Sequence, residues 1–319
     1  MENLILSFNV VAPLFLMMVL GYFLKYIKIF DQHTLDVMNK VVFKVFLPVL
    51  LFYNVYTTDL ETVFDGKLIL FAVSGVVILF LILLLFIPRI EKENRKRGVM
   101  IQGVFRSNFV IFGIPVATSI YGDGNVGTTA MLIAVIVPLF NMLAVISLEI
   151  FRGSQINVKK ILKGVVTNPL IIGAFVGIVF LLVGIKLPTC IMETVEDVSK
   201  MATPLGLILL GASFSFSDVK KYLHETIFIV ITKLIVVPLI MIPLSVSLGI
   251  RGIALLTLTI IYGAPTGVST FQMAKQMDGD SDLAAQIIVF TSFFCIVTMF
   301  IWIYILKSMA LISLLFIKT

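Results

Sequence analysis

One short motif occurs twice in this chain and decides its predicted fold. The copies are Phe112-Gly113-Ile114-Pro115-Val116-Ala117-Thr118-Ser119 and Tyr262-Gly263-Ala264-Pro265-Thr266-Gly267-Val268-Ser269. Both follow the pattern aromatic, Gly, small or apolar, Pro, any, small, any, Ser, and both lie inside strongly apolar segments. Interrupted hydrophobic segments at corresponding places in two halves of a chain indicate the binding site of a transporter.

The composition around the motifs indicates a membrane protein. Of the 319 residues, 60% are hydrophobic and 13% are charged, and the mean hydropathy is +1.12. A soluble domain of this size cannot bury so much apolar surface, so the expected surroundings are a lipid bilayer. The net charge of +6 lies mainly in short loops, which is typical of the positive-inside bias and gives no reason to expect a nucleic-acid partner.

We predict ten transmembrane helices, because a span needs about 20 apolar residues. Spans 2, 4, 7 and 9 of this series are less hydrophobic than the others. The predicted inside loops carry most of the Lys and Arg residues, which places both termini outside the cytoplasmic membrane. The predicted spans are about 5–27, 35–56, 67–88, 98–121, 125–150, 161–185, 195–216, 222–247, 252–274 and 282–307.

The ten spans divide into two sets of five. Residues 1–150 form the first predicted repeat and residues 151–319 the second, together one integral membrane domain. Because five is odd, the second set enters the membrane from the opposite side, so the repeat is inverted. The fourth span of each set carries one copy of the motif.

The motif predicts a break in each of these two spans. Proline deletes a helical hydrogen bond, and glycine permits unusual dihedral angles, so we expect unwinding near 112–115 and 262–265. The half-helix after each break would begin with free N–H groups, which attract anions. The predicted donors are Val116, Ala117 and Thr118 in the first copy and Thr266, Gly267 and Val268 in the second. The alternative is a pair of simple proline kinks.

The deepest ionisable residues in the predicted spans are all cationic. They are Lys44, Arg106 and Lys233, and no Asp or Glu reaches a comparable depth. A charge near the middle of the bilayer is costly, so buried cations without carboxylates favour an anionic substrate. Alternatively, these side chains extend to the interface or pair with the carbonyls of a broken helix. Asn108 lies two helical turns before Pro115 and is expected to face the same side as the break.

These observations give a set of candidate substrate-binding residues and no catalytic residue, cofactor or metal site. The candidates are Asn108, Gly113, Pro115, Val116, Ala117, Gly263, Pro265, Thr266, Gly267, Arg106 and Lys233.

Several motifs together resemble the auxin efflux carrier family, whose bacterial members are often labelled malate or malonate permeases. The motifs extend along the whole chain. They are Arg106-Ser107-Asn108-Phe109, Phe112-Gly113-Ile114-Pro115, Asn168-Pro169-Leu170, Pro204-Leu205-Gly206-Leu207, Leu210-Gly211-Ala212 and Gly263-Ala264-Pro265-Thr266-Gly267.

The resemblance implies a fold similar to that of bile-acid symporters and sodium/proton antiporters. One bundle would be a scaffold and the other a transport domain, with spans 4 and 9 crossing at their breaks. Asn108, Pro115 and Pro265 match the crossover residues of the family. Those antiporters carry cations on deep acidic residues, which this chain lacks.

We therefore expect a secondary transporter of small organic anions, such as carboxylates, that works by alternating access at the crossover. One alternative is a sodium- or proton-coupled organic acid symporter, and another, from a different class, is a membrane sensor or intramembrane enzyme. The chain has no HExxH or GxSxG motif and almost no His, so we do not expect an enzyme. Its apolar faces are compatible with a homodimer.

Overall fold

The computed structural model describes residues 2–57, 65–122, 126–153 and 158–312, and these ranges are mainly helical, with no strand. The prediction of an all-α protein is confirmed. Two π-helical segments, Val42–Phe46 and Thr232–Val236, continue into the α-helices on either side of them. The α-helices are α1 Glu2–Tyr26, α2 Gln32–Val41, α3 Leu47–Tyr56, α4 Gly66–Ile90, α5 Asn94–Phe105, α6 Phe109–Tyr121, α7 Gly127–Phe151, α8 Val158–Val166, α9 Pro169–Val183, α10 Thr189–Ser213, α11 Asp218–Lys221, α12 Leu223–Ile231, α13 Val237–Ser247, α14 Gly252–Gly263, α15 Ser269–Gln276 and α16 Ser281–Ser308.

Within the described ranges, five helices are long and apolar enough to cross a membrane. They are Phe8–Tyr26, Gly66–Ile90, Gly127–Phe151, Leu223–Ser247 and Ser281–Ser308. The pair α8 and α9 makes a sixth candidate span, bent by 57°. This bend follows from the sequence, because the Asn168 side chain accepts a hydrogen bond from the Leu170 N–H at 3.0 Å and Pro169 opens α9.

Helix α4 shows the lipid-facing surface most clearly. Its Val76 and Ile87 are fully buried, whereas Leu70 and Leu85 are more than 60% exposed. A helix that is apolar on both its buried and its exposed side is typical of a membrane span. The chain is therefore a multi-pass membrane protein.

The four remaining predicted spans are those that the sequence marked as less hydrophobic. The span 35–56 is interrupted by the first π-helical segment, and α10 carries charged residues in its first half. The spans 98–121 and 252–274 are each divided into two shorter helices. The count of ten transmembrane helices and the inverted repeat of 1–150 and 151–319 stay predictions.

The helices pack into two bundles. The side bundle consists of α1, α2, α3, α9 and α10, in which α1 packs along α10 and α3 along α9. The core bundle consists of α4 to α7 and α12 to α16, and the two bundles meet where α1 contacts α16, α3 contacts α7, and α10 contacts α15.

Two glycines permit the closest approach within the side bundle. A methyl group added at Gly211 of α10 would lie 1.9 Å from the carbonyl oxygen of Met18, and one added at Gly21 of α1 would lie 1.9 Å from that of Ile208. Small residues at a helix interface allow backbones to pack directly, as is common in membranes.

Candidate functional site

The two interrupted helices of the core bundle touch at their breaks. The first break separates α5 from α6 at residues 106–108, and the second separates α14 from α15 at residues 264–268. Ser107 and Thr266 form an antiparallel bridge, and the N–H of Asn108 donates to the carbonyl of Pro265 at 2.8 Å. The main chain itself therefore joins the breaks.

The predicted position of the first break was wrong. Helix α6 begins at Phe109 and continues through Gly113 and Pro115, so unwinding does not occur at 112–115. Buried Val116 and Ala117 consequently lie inside α6 and do not begin a half-helix. The break occurs earlier because residues 106–108 find backbone partners on the second break, a tertiary contact that replaces the helical hydrogen bonds.

The second break lies close to its predicted position, but the Thr266 N–H, one of its predicted donors, is not free. Ala264 is extended and precedes Pro265, as expected for a residue before proline. The Thr266 N–H donates to the Thr291 hydroxyl at 3.2 Å, and the Thr266 hydroxyl donates to the Gly103 carbonyl at 2.7 Å. Thr266 therefore ties the break to α5 and α16, which corrects its expected role as an open anion donor.

A cavity lies against this crossing, between the core bundle and the side bundle. Its space is about 700 Å³, including the part open to solvent. The core bundle contributes both breaks, the start of α6, the middle of α7 and the start of α15, and the side bundle contributes α3 and α10. Cavities between helices of a bundle are common ligand sites.

Arg106 is the charged residue of the cavity wall. It is 4% exposed. Its guanidinium donates to Asn141 Oδ1 at 2.6 Å, Met273 Sδ at 2.8 Å and Gln102 Oε1 at 3.5 Å, and also to the Ser269 hydroxyl. All four partners are neutral, and no Asp or Glu among the described residues lines the cavity.

Gly267 of the second break lies against the same Arg106 side chain. A methyl group there would be 3.3 Å from Arg106 Nε, so the glycine leaves room for the guanidinium to cross the break.

Two buried amides in the cavity wall have atoms without a hydrogen-bond partner in the structure. They are Asn108 Nδ2, a donor, and Gln272 Oε1, an acceptor. The Gln272 Nε2 donates to the Gly206 carbonyl at 2.9 Å, which fixes that side chain between α15 and α10. A buried polar atom without a partner costs about 1–3 kcal/mol, so the wall favours a ligand with hydrogen-bonding groups.

Lys233 does not line the cavity. It is fully buried in the second π-helical segment. Its Nζ donates to the Ser107 hydroxyl, which in turn donates to the Ile261 carbonyl. Lys233 thus supports the first break through Ser107.

The structure brings together only part of the predicted residue set. Arg106, Asn108 and Gly267 line the cavity, whereas Pro265 and Thr266 hold the second break and Gly263 ends α14. Gly113, Pro115, Val116 and Ala117 lie along α6 outside the cavity wall.

The predicted set omitted six polar residues of the wall. They are Asn54, Ser107, Asn141, Thr203, Ser269 and Gln272. Asn141 lies in the middle of the largely apolar helix α7, so its polarity within a span and the deep arginine at position 106 were the available signals.

Comparison with known proteins gives a family match and several relatives. The family described as "Membrane transport protein" matches residues 6–303. The chain is 25% identical over 307 residues to the "Uncharacterized transporter" of Methanothermobacter thermautotrophicus, which covers 93% of this chain and 97% of that protein. It is 23% identical to the "Uncharacterized transporter YfdV" of Escherichia coli over 312 residues, 92% of this chain and 95% of that protein. It is also 23% identical over 315 residues to the "Putative malonate transporter" of Rhizobium meliloti, 95% of this chain and 97% of that protein.

Proposed function

We propose a function for a chain that belongs to the membrane transport protein family, as its resemblance to auxin efflux carriers predicted, and that is therefore a membrane transporter and not an enzyme. It carries small organic anions through the cavity at the helix crossing. The proposed mechanism is alternating access, with Arg106 as the residue that binds the anionic group.

One observation carries this proposal, namely a buried guanidinium with only neutral partners. A buried charge without a counter-charge is expensive. A carboxylate in the cavity would supply that counter-charge and could accept a hydrogen bond from the guanidinium in place of a weak neutral partner such as Met273 Sδ. The unpartnered Asn108 Nδ2 is a further donor in the same wall.

The position of the cavity supports a carrier mechanism. Its wall is shared between two bundles, so a shift of one bundle against the other would change which side of the membrane reaches the site. The backbone bridge between Ser107 and Thr266 would keep the two breaks together during that shift.

The substrate class rests on charge and on one relative. The name of the Rhizobium meliloti protein refers to malonate, a small dicarboxylate, and the neutral amides around Arg106 suit carboxylate oxygens. The location in the cytoplasmic membrane, the outside position of both termini and a homodimer stay predictions.

The test is flux through the purified protein in proteoliposomes. We expect saturable movement of labelled malonate or malate, competition by other carboxylates, and no competition by amines of the same size. Repeating the assay with and without a sodium gradient distinguishes a simple carrier from a sodium symporter. A protein that moves no carboxylate and gains no thermal stability from any of them would contradict the proposal, because a ligand of the folded state must raise its melting temperature.

A further inference from the structure

Lys233 is a buried charged group that the anion site does not use directly. It lies near the middle of the continuous helical segment Leu223–Ser247 and is fully buried. The π-helical geometry at Thr232–Val236 is rare in α-helices and is frequent at functional sites. The Leu234 carbonyl in this segment accepts a hydrogen bond from the Trp302 indole at 3.2 Å, so the irregular turn is held in place.

No carboxylate in the described part of the chain pairs with Lys233. The elements packed against its π-helical segment are α5, α12, α13, α14 and α16. Their titratable or charged groups, with the one directly after α5, are Arg95, Lys96, Arg97, Arg106, His224, Glu225, Tyr262, Asp282, Cys295, Tyr304 and Lys307.

Glu225 lies in the first turn of α12 and is paired with Lys96 at 2.9 Å. The Tyr262 hydroxyl donates to the Ala72 carbonyl, on α4. Within the described residues, Nζ of Lys233 therefore has Ser107 as its hydrogen-bond partner and is paired with no carboxylate.

Ser107 connects Lys233 to the anion cavity. Its hydroxyl accepts the Lys233 hydrogen bond, and Ser107 also lines the cavity directly after Arg106. The ammonium of Lys233 and an anion bound to Arg106 would thus contact adjacent residues of the first break. In the empty cavity, two cations would share an interior of low dielectric constant without compensation.

We propose that Lys233 binds one proton when an organic anion enters the cavity and releases it when the anion leaves, so that the protein is a proton–anion symporter. In this step the neutral amine of Lys233 takes up H⁺ to become the ammonium while a carboxylate binds Arg106, and both leave together on the other side. The inference rests on the proposed function. Anion and proton then raise each other's affinity by the same factor.

The direct experiment counts protons taken up on binding. Malonate is added to purified protein in weakly buffered detergent solution between pH 7 and 9, where malonate itself stays ionised, and a pH indicator follows the change. We expect uptake approaching one proton per malonate bound. The dissociation constant should rise by about tenfold per pH unit wherever one full proton is taken up.

Three variants make the test specific. Lys233→Met should bind malonate with an affinity that no longer depends on pH and without proton uptake. Lys233→Arg keeps a permanent charge, so its affinity should stay high and independent of pH, and a pH gradient should no longer drive accumulation. Lys44→Met, at the exposed lysine of the other π-helical segment, is the matched control and should behave as wild type.

The outcomes separate this inference from the proposed function. Malonate binding without proton uptake, or proton uptake that persists in Lys233→Met, overturns the role of Lys233 and leaves an anion carrier. Failure of the wild type to bind or move any carboxylate overturns both.

Discussion

The Arg106 guanidinium donates from Nη2 to Oδ1 of Asn141 across 2.6 Å, so a neutral amide from α7 holds the charged residue of the cavity. This arrangement positions the guanidinium without neutralising it. An external anion can then supply the missing charge, and the first two predictions follow from that relationship.

Replacing Arg106 with Gln should reduce the affinity for malonate about 10- to 150-fold, because a hydrogen bond to a charged group contributes about 1.5–3 kcal/mol. The protein should still insert and fold, since the removed charge had no ionic partner. Binding by calorimetry and flux in proteoliposomes would measure the loss. The control is Arg251→Gln, at an exposed arginine outside the cavity wall, and equal behaviour of both variants would contradict a site at Arg106.

Replacing Asn141 with Asp should abolish anion transport and raise thermal stability. The new carboxylate would sit at the present hydrogen-bond distance from Arg106 and neutralise it from within the protein. Thermal unfolding in detergent, with and without malonate, would show a higher melting temperature that no longer responds to the ligand. Asn9→Asp, on the exposed side of α1, is the matched control, and a retained malonate response in Asn141→Asp would be inconsistent with the prediction.

The two prolines of the repeated motif should differ in their effect on transport. Pro265→Ala should slow flux by roughly tenfold, equivalent to about 1.4 kcal/mol, because Pro265 keeps Ala264 extended and stops α14 from continuing. Pro115→Ala should leave flux near the wild-type value, because Pro115 lies inside α6 outside the cavity wall. Initial flux rates of both variants at equal reconstitution measure this contrast, and the reverse order would refute it.

Replacing Gly211 with Ala should destabilise the side bundle by about 1–3 kcal/mol or more, the usual cost of overpacking. The added methyl group would meet the backbone carbonyl of Met18, which cannot rotate away. A lower melting temperature in detergent is the expected result. Gly263→Ala provides the comparison, because its nearest neighbour, Pro238 Cγ, would lie at an ordinary 3.4 Å.

The ion pair of Lys96 and Glu225 should stabilise the core bundle at its predicted cytoplasmic end. Both side chains are only 12–13% exposed, and their charged atoms are 2.9 Å apart. Glu225→Gln should lower the free energy of unfolding by on the order of 1–3 kcal/mol, between the values for exposed and buried pairs. Glu93→Gln, which removes a 64%-exposed neighbour of the same lysine, should cost less.

The pH dependence of this pair follows from the lysine. The hydrogen bond to Glu225 raises the pKa of Lys96 above its usual value. Because the pKa is higher in the folded state than in the unfolded state, the stabilisation is complete below about pH 10 and is lost as the pH rises through the folded-state pKa. Chemical unfolding of wild type and Glu225→Gln should therefore differ by a constant amount from pH 7 to 9 and converge in stronger alkali.

The sequence predicted the membrane class because the hydropathy of α4, α7, α12–α13 and α16 depends only on local composition. It also marked spans 2, 4, 7 and 9 as less hydrophobic, and these are the four predicted spans outside the candidate membrane-crossing helices. The bend before α9 follows likewise from Asn168 and Pro169.

The first break was placed wrongly because its cause is not local. Residues 106–108 contain neither Gly nor Pro, and only the contact with Thr266 and Pro265 explains why the helix ends there. Lys233 was predicted to bind substrate for a similar reason, since depth along a helix is readable from sequence but the residues that line a cavity are not. The role of Asn141 in holding Arg106 was not predicted either, because the two residues are brought together only by the tertiary fold.

The joint between the two interrupted helices is built from peptide groups, with Ser107 bridging Thr266 and the Asn108 amide reaching Pro265. Peptide groups are common to nearly every amino acid, so many side chains at these positions can change while the joint persists. The substrate-contacting residues of such a carrier can therefore change one at a time during evolution. Its homologues can then differ in the substrate that they transport while the two interrupted helices stay joined in the same way.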